Sequence, residues 1–225
     1  MPGNYQDKLD PWSSHSTIQK LLRAFPAGTR VLDVGTASGT IGKICQDQGF
    51  LLRGVEPVAA WAEESRPFYE EICAQDLEHT SDAFLTAHQV VICADVLEHM
   101  PDPEAQLRRL VRLQQPGAVF LISVPNIANL WVRLNLLFGK FDYTDRGILD
   151  RTHLRFFTRR TITDMLAAAG LEVRKVQATP IPLNLVSPFF ADTALGRRIH
   201  AALAALTRAL PALLGYQFVI AAVKP

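Results

Sequence analysis

Val31-Leu32-Asp33-Val34-Gly35-Thr36-Ala37-Ser38-Gly39-Thr40 is the stretch that decides the fold of this chain. An apolar run of strand character feeds a turn of small residues, and the turn opens onto a helical pattern. Such a turn lets a ligand lie against bare backbone at the carboxyl end of a strand, where open α/β sheets bind cofactors. Alone it is weak evidence, because any tight strand-to-helix turn favours glycine. The neighbouring runs strengthen it. Leu51 to Val55 ends in Glu56, Glu71 to Gln75 ends in Asp76, and Gln89 to Ala94 ends in Asp95. Counting Asp33, four successive strand-like runs end in or at an acid. Acids beside a buried sheet are costly unless partnered. Capping of the following helix is the plain alternative for any one of them.

Strand and helix patterns alternate from the first run to about Val124, which predicts a parallel sheet with helices on both faces. Residues 1 to about 12 read as a loose arm. Ser13 to Phe25 has helical spacing, with Ile18, Leu21, Leu22 and Phe25 on one face. Asp102-Pro103-Glu104 reads as a helix start, with Asp as N-cap and Pro in the first turn. A fifth strand is expected over Ala118 to Val124. Residues 126–157 break the alternation and form a substrate-side insertion. Thr158 is placed to cap a helix that stops at Gly170, and a strand follows over Leu171 to Val176. Residues 179–215 form a second, helical insertion before a last strand, Tyr216 to Val223. All 225 residues are read as one domain.

Composition narrows the function classes. The chain is 48% hydrophobic and 20% charged, with a formal net charge of +1, so no global field favours nucleic acid. Cys45, Cys73 and Cys93 lack paired spacing and fall in apolar runs, which predicts buried, reduced thiols and a cytoplasmic protein. The polar start of the chain has no apolar signal core, and no transmembrane segment is expected.

The motifs VLDVGTASG, GVEP, AQDLE, ADVLEHMPDP and QPGAVFLISVPN, in that order between Val31 and Asn126, resemble those of class I S-adenosylmethionine-dependent methyltransferases. The resemblance implies a Rossmann-like, seven-stranded, mostly parallel sheet whose last strand is antiparallel. It implies S-adenosyl-L-methionine as cofactor and S-adenosyl-L-homocysteine as product. The family's first loop usually reads D-x-G-x-G-x-G, and Ala37 stands here at the middle glycine, between Gly35 and Gly39. Carried over by position, Glu56 (followed by Pro57) accepts from the ribose hydroxyls. Asp76 and the Leu77 N–H meet the adenine, and Asp33 and Gly35 flank the methionine portion. Asp95 and Val96 lie beside the methyl donor. A dinucleotide-binding dehydrogenase needs G-x-G-x-x-G, which the spacing of Gly35, Ala37, Gly39 and Gly42 fits poorly.

Asp95-Val96-Leu97-Glu98-His99 also resembles the acid-x-x-Glu-His segment of small-RNA 2′-O-methyltransferases and of ubiquinone-pathway O-methyltransferases. In the former, that segment and a later histidine hold a divalent ion. That resemblance gives a lesser reading in which Asp95, Glu98, His99 and His153 bind a metal; no metal is expected in the main one. Without metal, His153 is the candidate general base, with His99 beside it, since imidazole titrates near neutral pH. The plain alternative is a hydrogen-bonded histidine of a lid.

Between Asn126 and Arg160 stand seven Arg or Lys residues against three Asp. Asn126, Trp131, Tyr143, Arg151 and Arg155 are the candidate acceptor contacts, suiting an anionic or sugar-like molecule. GILDRTHLRFFT resembles methyltransferases of bacterial surface-glycan and secondary-metabolite pathways. In the second insertion Ile199, Leu203, Leu206, Leu210 and Leu214 form an apolar helical stripe, expected to pack on the core. A homodimer through the 199–214 helix is the alternative, and a membrane-surface helix ranks last because its basic face is thin. Pro180, Pro182 and Pro188 predict an extended connection before it. The overall expectation is O-methylation of a small molecule. Its rivals are a metal-assisted RNA 2′-O-methyltransferase and a non-catalytic cofactor-binding module.

Overall fold

The computed structural model describes residues 10–225. Among them seven strands form one sheet: β1 (Arg30–Val34), β2 (Leu51–Val55), β3 (Glu71–Cys73), β4 (Val90–Ala94), β5 (Val119–Pro125), β6 (Glu172–Thr179) and β7 (Gln217–Val223). Their order is β3-β2-β1-β4-β5-β7-β6. Strands β1 to β5 run parallel, and β7 pairs antiparallel with both β5 and β6. The chain winds outward from β1 to β3, then returns to the other side of β1 with β4. That reversal between β1 and β4 opens a crevice beyond the strands' carboxyl ends.

Strand alternation divides the core into two layers. Leu32, Val34, Val91, Cys93, Phe120, Ile122, Phe218 and Ile220 point to one face. There they meet Leu107 and Leu110 of helix α5 (Pro103–Leu113) and Ile162 and Leu166 of α7 (Arg159–Ala168). Val31, Val90, Ile92, Leu121 and Val219 point to the other, against Ile18 and Leu22 of α1 (Ser14–Leu22) and Ile41 and Cys45 of α2 (Thr40–Cys45). The helices are α1 (Ser14–Leu22), α2 (Thr40–Cys45), α3 (Ala59–Ser65), α4 (Asp82–Leu85), α5 (Pro103–Leu113), α6 (Leu130–Leu137) and α7 (Arg159–Ala168). In the second insertion lie α8 (Leu183–Val186), α9 (Phe189–Asp192), α10 (Ala194–Ala209) and α11 (Pro211–Leu214). Asp102 and Thr158 cap α5 and α7 as the sequence predicts, and Ser13, expected inside the first helix, is instead the cap of α1; each side chain accepts a backbone N–H of the first turn.

Three expectations need correction. The arm does not reach residue 12: Asp10 is buried, and its Oδ2 lies 3.8 Å from Nε2 of buried His200 on α10. Residues 1–9 lie outside the described residues. The apolar stripe of the second insertion does not face the core. Ile199, Leu206 and Leu210 are exposed, and α10 buries Gly196, His200, Ala204 and Thr207. The reason is close approach. A Cβ on Gly196 would sit 2.1 Å from the Phe189 carbonyl oxygen of α9, so small residues are needed on the packed side. The proline-rich connection is also not extended throughout, since α8 and α9 each form a single helical turn. Of the thiols, Cys45 and Cys93 are buried and Cys73 is half-buried; all three are free.

Candidate functional site

The four acids stand at the carboxyl ends of β1 to β4, around the crevice, but their environments differ. Asp33 lies on the β1 face covered by α2 and is almost fully buried. Tyr69 donates its phenol proton to Oδ2 at 2.5 Å, and the Gly42 N–H in turn donates to the Tyr69 oxygen at 3.1 Å. Burial raises the Asp33 pKa to about 7, against the Tyr69 hydrogen bond that lowers it. The Tyr69 hydroxyl is therefore the hinge between the strand tip and α2, a role that no sequence signal announced.

Glu56 is buried after β2 and grips the glycine loop. Its Oε2 accepts the Ala37 N–H at 2.8 Å and Oε1 accepts the Val58 N–H at 2.9 Å. Burial is the largest influence on this carboxyl and raises its pKa, while the two backbone donors pull it down. A carboxylate offers about four lone-pair sites, so each oxygen retains one for a vicinal diol. Pro57 follows it and is exposed. Asp76 stands after β3, with about half of its side chain exposed. Its Oδ1 takes the His79 N–H at 2.8 Å and the His79 ring at 2.7 Å, which hold its pKa below the usual range. The Leu77 side chain is buried in the core, and its carbonyl accepts from Nη1 of Arg109 at 2.7 Å.

The loop itself is tightly drawn. Gly35 has φ +78°, and a Cβ there would lie 2.6 Å from Cγ2 of Val96, so the loop and the β4 turn touch directly. Ala37 holds φ 45°, a left-handed conformation rare for a residue with a Cβ. Ala37→Gly is expected to stabilise the protein by about 0.5–1 kcal/mol, the strain relief less glycine's greater unfolded-state entropy. Urea denaturation measures this; an unchanged or lower midpoint would show that the loop carries no strain.

Asp95 also has positive φ, at 57°. Its Oδ1 accepts from Ser123 Oγ at 2.7 Å and Gln217 Nε2 at 2.8 Å, and Ser14 Oγ lies 3.5 Å from Oδ2. These partners come from β5, β7 and α1. Gln217 was invisible to sequence reading because only the antiparallel register of β7, with Gln217 opposite Pro125, brings it to this end of the sheet. Asp95 also departs from the four-ligand set of the lesser metal reading. Ligand atoms of Glu98, His99 and His153 lie within 4.8 Å of one another, and Asp95 is outside that group.

His153 is held by the first insertion. Its Nδ1 is 3.1 Å from the Ile148 carbonyl, and His99 Nδ1 is 3.2 Å from the Thr152 carbonyl. A carbonyl only accepts, so each Nδ1 carries the proton and each neutral ring keeps Nε2 as its bare, basic nitrogen. The rings meet edge to face with centroids 4.8 Å apart. Burial foremost, and the neighbouring His99, lower the His153 pKa, despite the opposing Ile148 hydrogen bond and the Asp150 and Asp95 charges. His153 thus stays neutral and able to accept a proton down to a pH below its ordinary titration. Tyr216 stands close by: a Cβ on Gly147 would lie 2.8 Å from its hydroxyl. Burial, reinforced by the Asp95 charge, pushes its pKa to about 12.

The remaining candidate acceptor contacts scatter. Asn126 is fully buried and donates through Nδ2 to the Gly215 carbonyl at 2.9 Å, bracing β5 against the second insertion. Arg151 pairs with Asp145 at 2.7 Å, and Arg155 donates to the Pro101 carbonyl. Trp131 and Tyr143 are exposed and do not form an enclosed wall.

A family model described as a methyltransferase domain matches residues 9–176. A ubiquinone biosynthesis O-methyltransferase of Thiobacillus denitrificans is 30% identical over 180 residues, 76% of this chain and 77% of that protein. The protein of the same name from Aeromonas salmonicida is 30% identical over 158 residues, and the match spans 64% of its length and 65% of this chain. Among solved structures, magnesium protoporphyrin IX methyltransferase of Synechocystis with bound SAH superposes with a TM-score of 0.64. It is 16% identical, covering 94% of this chain and 82% of that one, a likeness of fold.

Proposed function

This chain belongs to the class I S-adenosylmethionine-dependent methyltransferases, and from that premise we propose that it methylates an oxygen of a small-molecule acceptor, with His153 as general base. The cofactor supplies an electrophilic methyl group on a sulfonium. The protein's part is to hold donor and acceptor in line and to exclude water. Glu56 has the lone pairs to take both ribose hydroxyls, and Asp76 is open enough to reach the adenine amino group. Asp33, Gly35, Ala37 and Gly39 line the path of the amino-acid portion. Asp95, with Val96, borders the methyl-bearing end, its carboxylate kept in place by Ser123 and Gln217.

One observation carries the reading: a half-enclosed imidazole pair beside Asp95, each ring with Nε2 as its basic nitrogen. Such a nitrogen removes the proton of an acceptor hydroxyl as the oxygen attacks. The relatives' names, ubiquinone biosynthesis O-methyltransferase, support oxygen as the target and a small molecule as the acceptor. Among the described residues no helix is long and apolar enough to cross a membrane. The three free cysteines support a reducing compartment, the cytoplasm.

Transfer of labelled methyl from S-adenosylmethionine to a panel of phenols, catechols, hydroxy acids and amines tests the proposal. Ether or ester products are expected. Products confined to amines, or cofactor binding with every acceptor left unmethylated, would count against it. Repeating the assay with a chelator separates the metal-assisted reading, for which the grouping of Glu98, His99 and His153 is the favouring observation. That reading requires activity to vanish and to return with manganese or magnesium.

A further inference from the structure

We propose that the outer face of α10 is an interface through which two copies of this chain associate, their α10 helices lying side by side and antiparallel. The helix is 16 residues long and buries only Gly196, His200, Ala204 and Thr207. Away from that packed side, Leu195, Ile199, Ala202, Leu206 and Ala209 recur at steps of four, three, four and three. This spacing keeps one seam of a helix turned toward a second helix. Leu195 is 61% exposed and Leu206 is 51% exposed, and Ile199 and Leu210 are exposed as well. Large apolar side chains left in water along one line mark a binding face. On α10 they offer roughly 400 Å² of apolar surface, half of the ~800 Å² that each partner gives to a standard interface. Leu185, Val186 and Phe189 stand exposed on α8 and α9 of the same insertion and add to it.

The pattern identifies the occupant as the same helix. Its large side chains are arranged symmetrically about a point between Ala202 and Leu203. Ile199 and Leu206 are equidistant from that point, and so are Leu195 and Leu210. A second α10 running the other way across a two-fold axis there sets Ile199 of each copy beside Leu206 of the other, and Leu195 beside Leu210. The small side chain of Ala202 at the centre lets the two backbones approach. A face that is its own complement is what a two-fold dimer requires. Charge agrees. Arg197 donates to the Ala191 carbonyl at 3.0 Å, and the Arg208 guanidinium lies over the Trp12 ring at 5.1 Å, so both are turned onto their own chain. Arg198 is the remaining arginine of the helix. In the antiparallel pair the two copies of Arg198 stand about 14 Å apart along the axis, nine residues at the helical rise, which is beyond the screening length at physiological salt. An anionic bilayer needs cations beside the apolar line and gains little from this face.

Sedimentation velocity of the full chain tests this. The wild type is expected to sediment as a dimer across the micromolar range. Ile199→Glu/Leu206→Glu should weaken the association about a hundredfold or more, because each copy would then press carboxylates against apolar side chains. Both positions are exposed, so the far-ultraviolet circular dichroism should hold. Leu137→Glu/Phe138→Glu, on the exposed side of α6, should leave the dimer intact and separates this face from surface apolarity in general. Ala202→Cys, next to the axis, should form a disulfide-linked dimer on air oxidation, since the two Cα atoms there lie within bridging distance, and the wild type should not. A wild type that stays monomeric overturns the proposal. So does a dimer that survives the α10 double variant or is lost in the α6 one. A dimer that Ala202→Cys fails to cross-link overturns the antiparallel pairing. Sedimentation needs neither cofactor nor acceptor, so a failure of methyl transfer leaves this result readable on its own.

Discussion

His153→Gln is expected to lower turnover about 10²–10⁴-fold, the usual contribution of a positioned base, and to leave the dissociation constant for S-adenosylmethionine nearly unchanged. Glutamine keeps a neutral amide of similar reach at the Nε2 position, so the side chain stays polar while the basic nitrogen is lost. The pH profile gives the second readout. In the wild type, burial lowers the His153 pKa. The active, neutral ring is therefore present above its depressed pKa and is lost as pH falls through it. The rising limb of kcat/KM should lie below pH 6.5, the ordinary value for imidazole, and should disappear in His153→Gln. Turnover that is unchanged, or affinity for the cofactor that collapses in step with turnover, would make the histidine a brace of the lid.

The second large effect belongs to Glu56. Glu56→Ala should weaken S-adenosylmethionine binding by about 1.5–3 kcal/mol, the worth of charge-assisted hydrogen bonds, which is roughly 10- to 150-fold in dissociation constant. The same carboxylate holds the Ala37 and Val58 N–H groups. The variant should therefore also lose about 1–3 kcal/mol of stability without cofactor, the cost of leaving a buried donor unsatisfied. Calorimetric titration and thermal melting separate the two roles. A lower melting temperature with unchanged affinity would leave Glu56 as a loop anchor alone.

The parts of the fold that were legible in the sequence are those where local chemistry and packing agree. Asp102 and Thr158 cap helices because their side chains satisfy donors only three residues away, an interaction that needs no knowledge of the rest of the chain. The acids at the strand tips were legible for the same reason, since they follow apolar runs at once. The apolar stripe of α10 misled because periodicity reports the spacing of large side chains and not the side on which a neighbour approaches. There the packed side is Gly196, His200, Ala204 and Thr207. The acceptor contacts were the least legible. Asn126 is saturated by the backbone of the second insertion, nearly ninety residues away, and the partners of Tyr216 arise where two insertions meet. Distances of that kind are set by tertiary structure, and one sequence carries no local trace of them.

The sheet order has a consequence for how the protein comes to be folded. β7 is the last strand in the chain, yet it is threaded between β5 and β6. Until it arrives, β6 has no strand to pair with, and the Asp95 carboxylate lacks the amide of Gln217. The body can assemble early from its consecutive strand–helix units, while the candidate site around Asp95 must wait for the slowest, longest-range pairing. During that wait β6 is a bare edge open to strands of other molecules, which makes a chain cut short of Gln217 prone to aggregate.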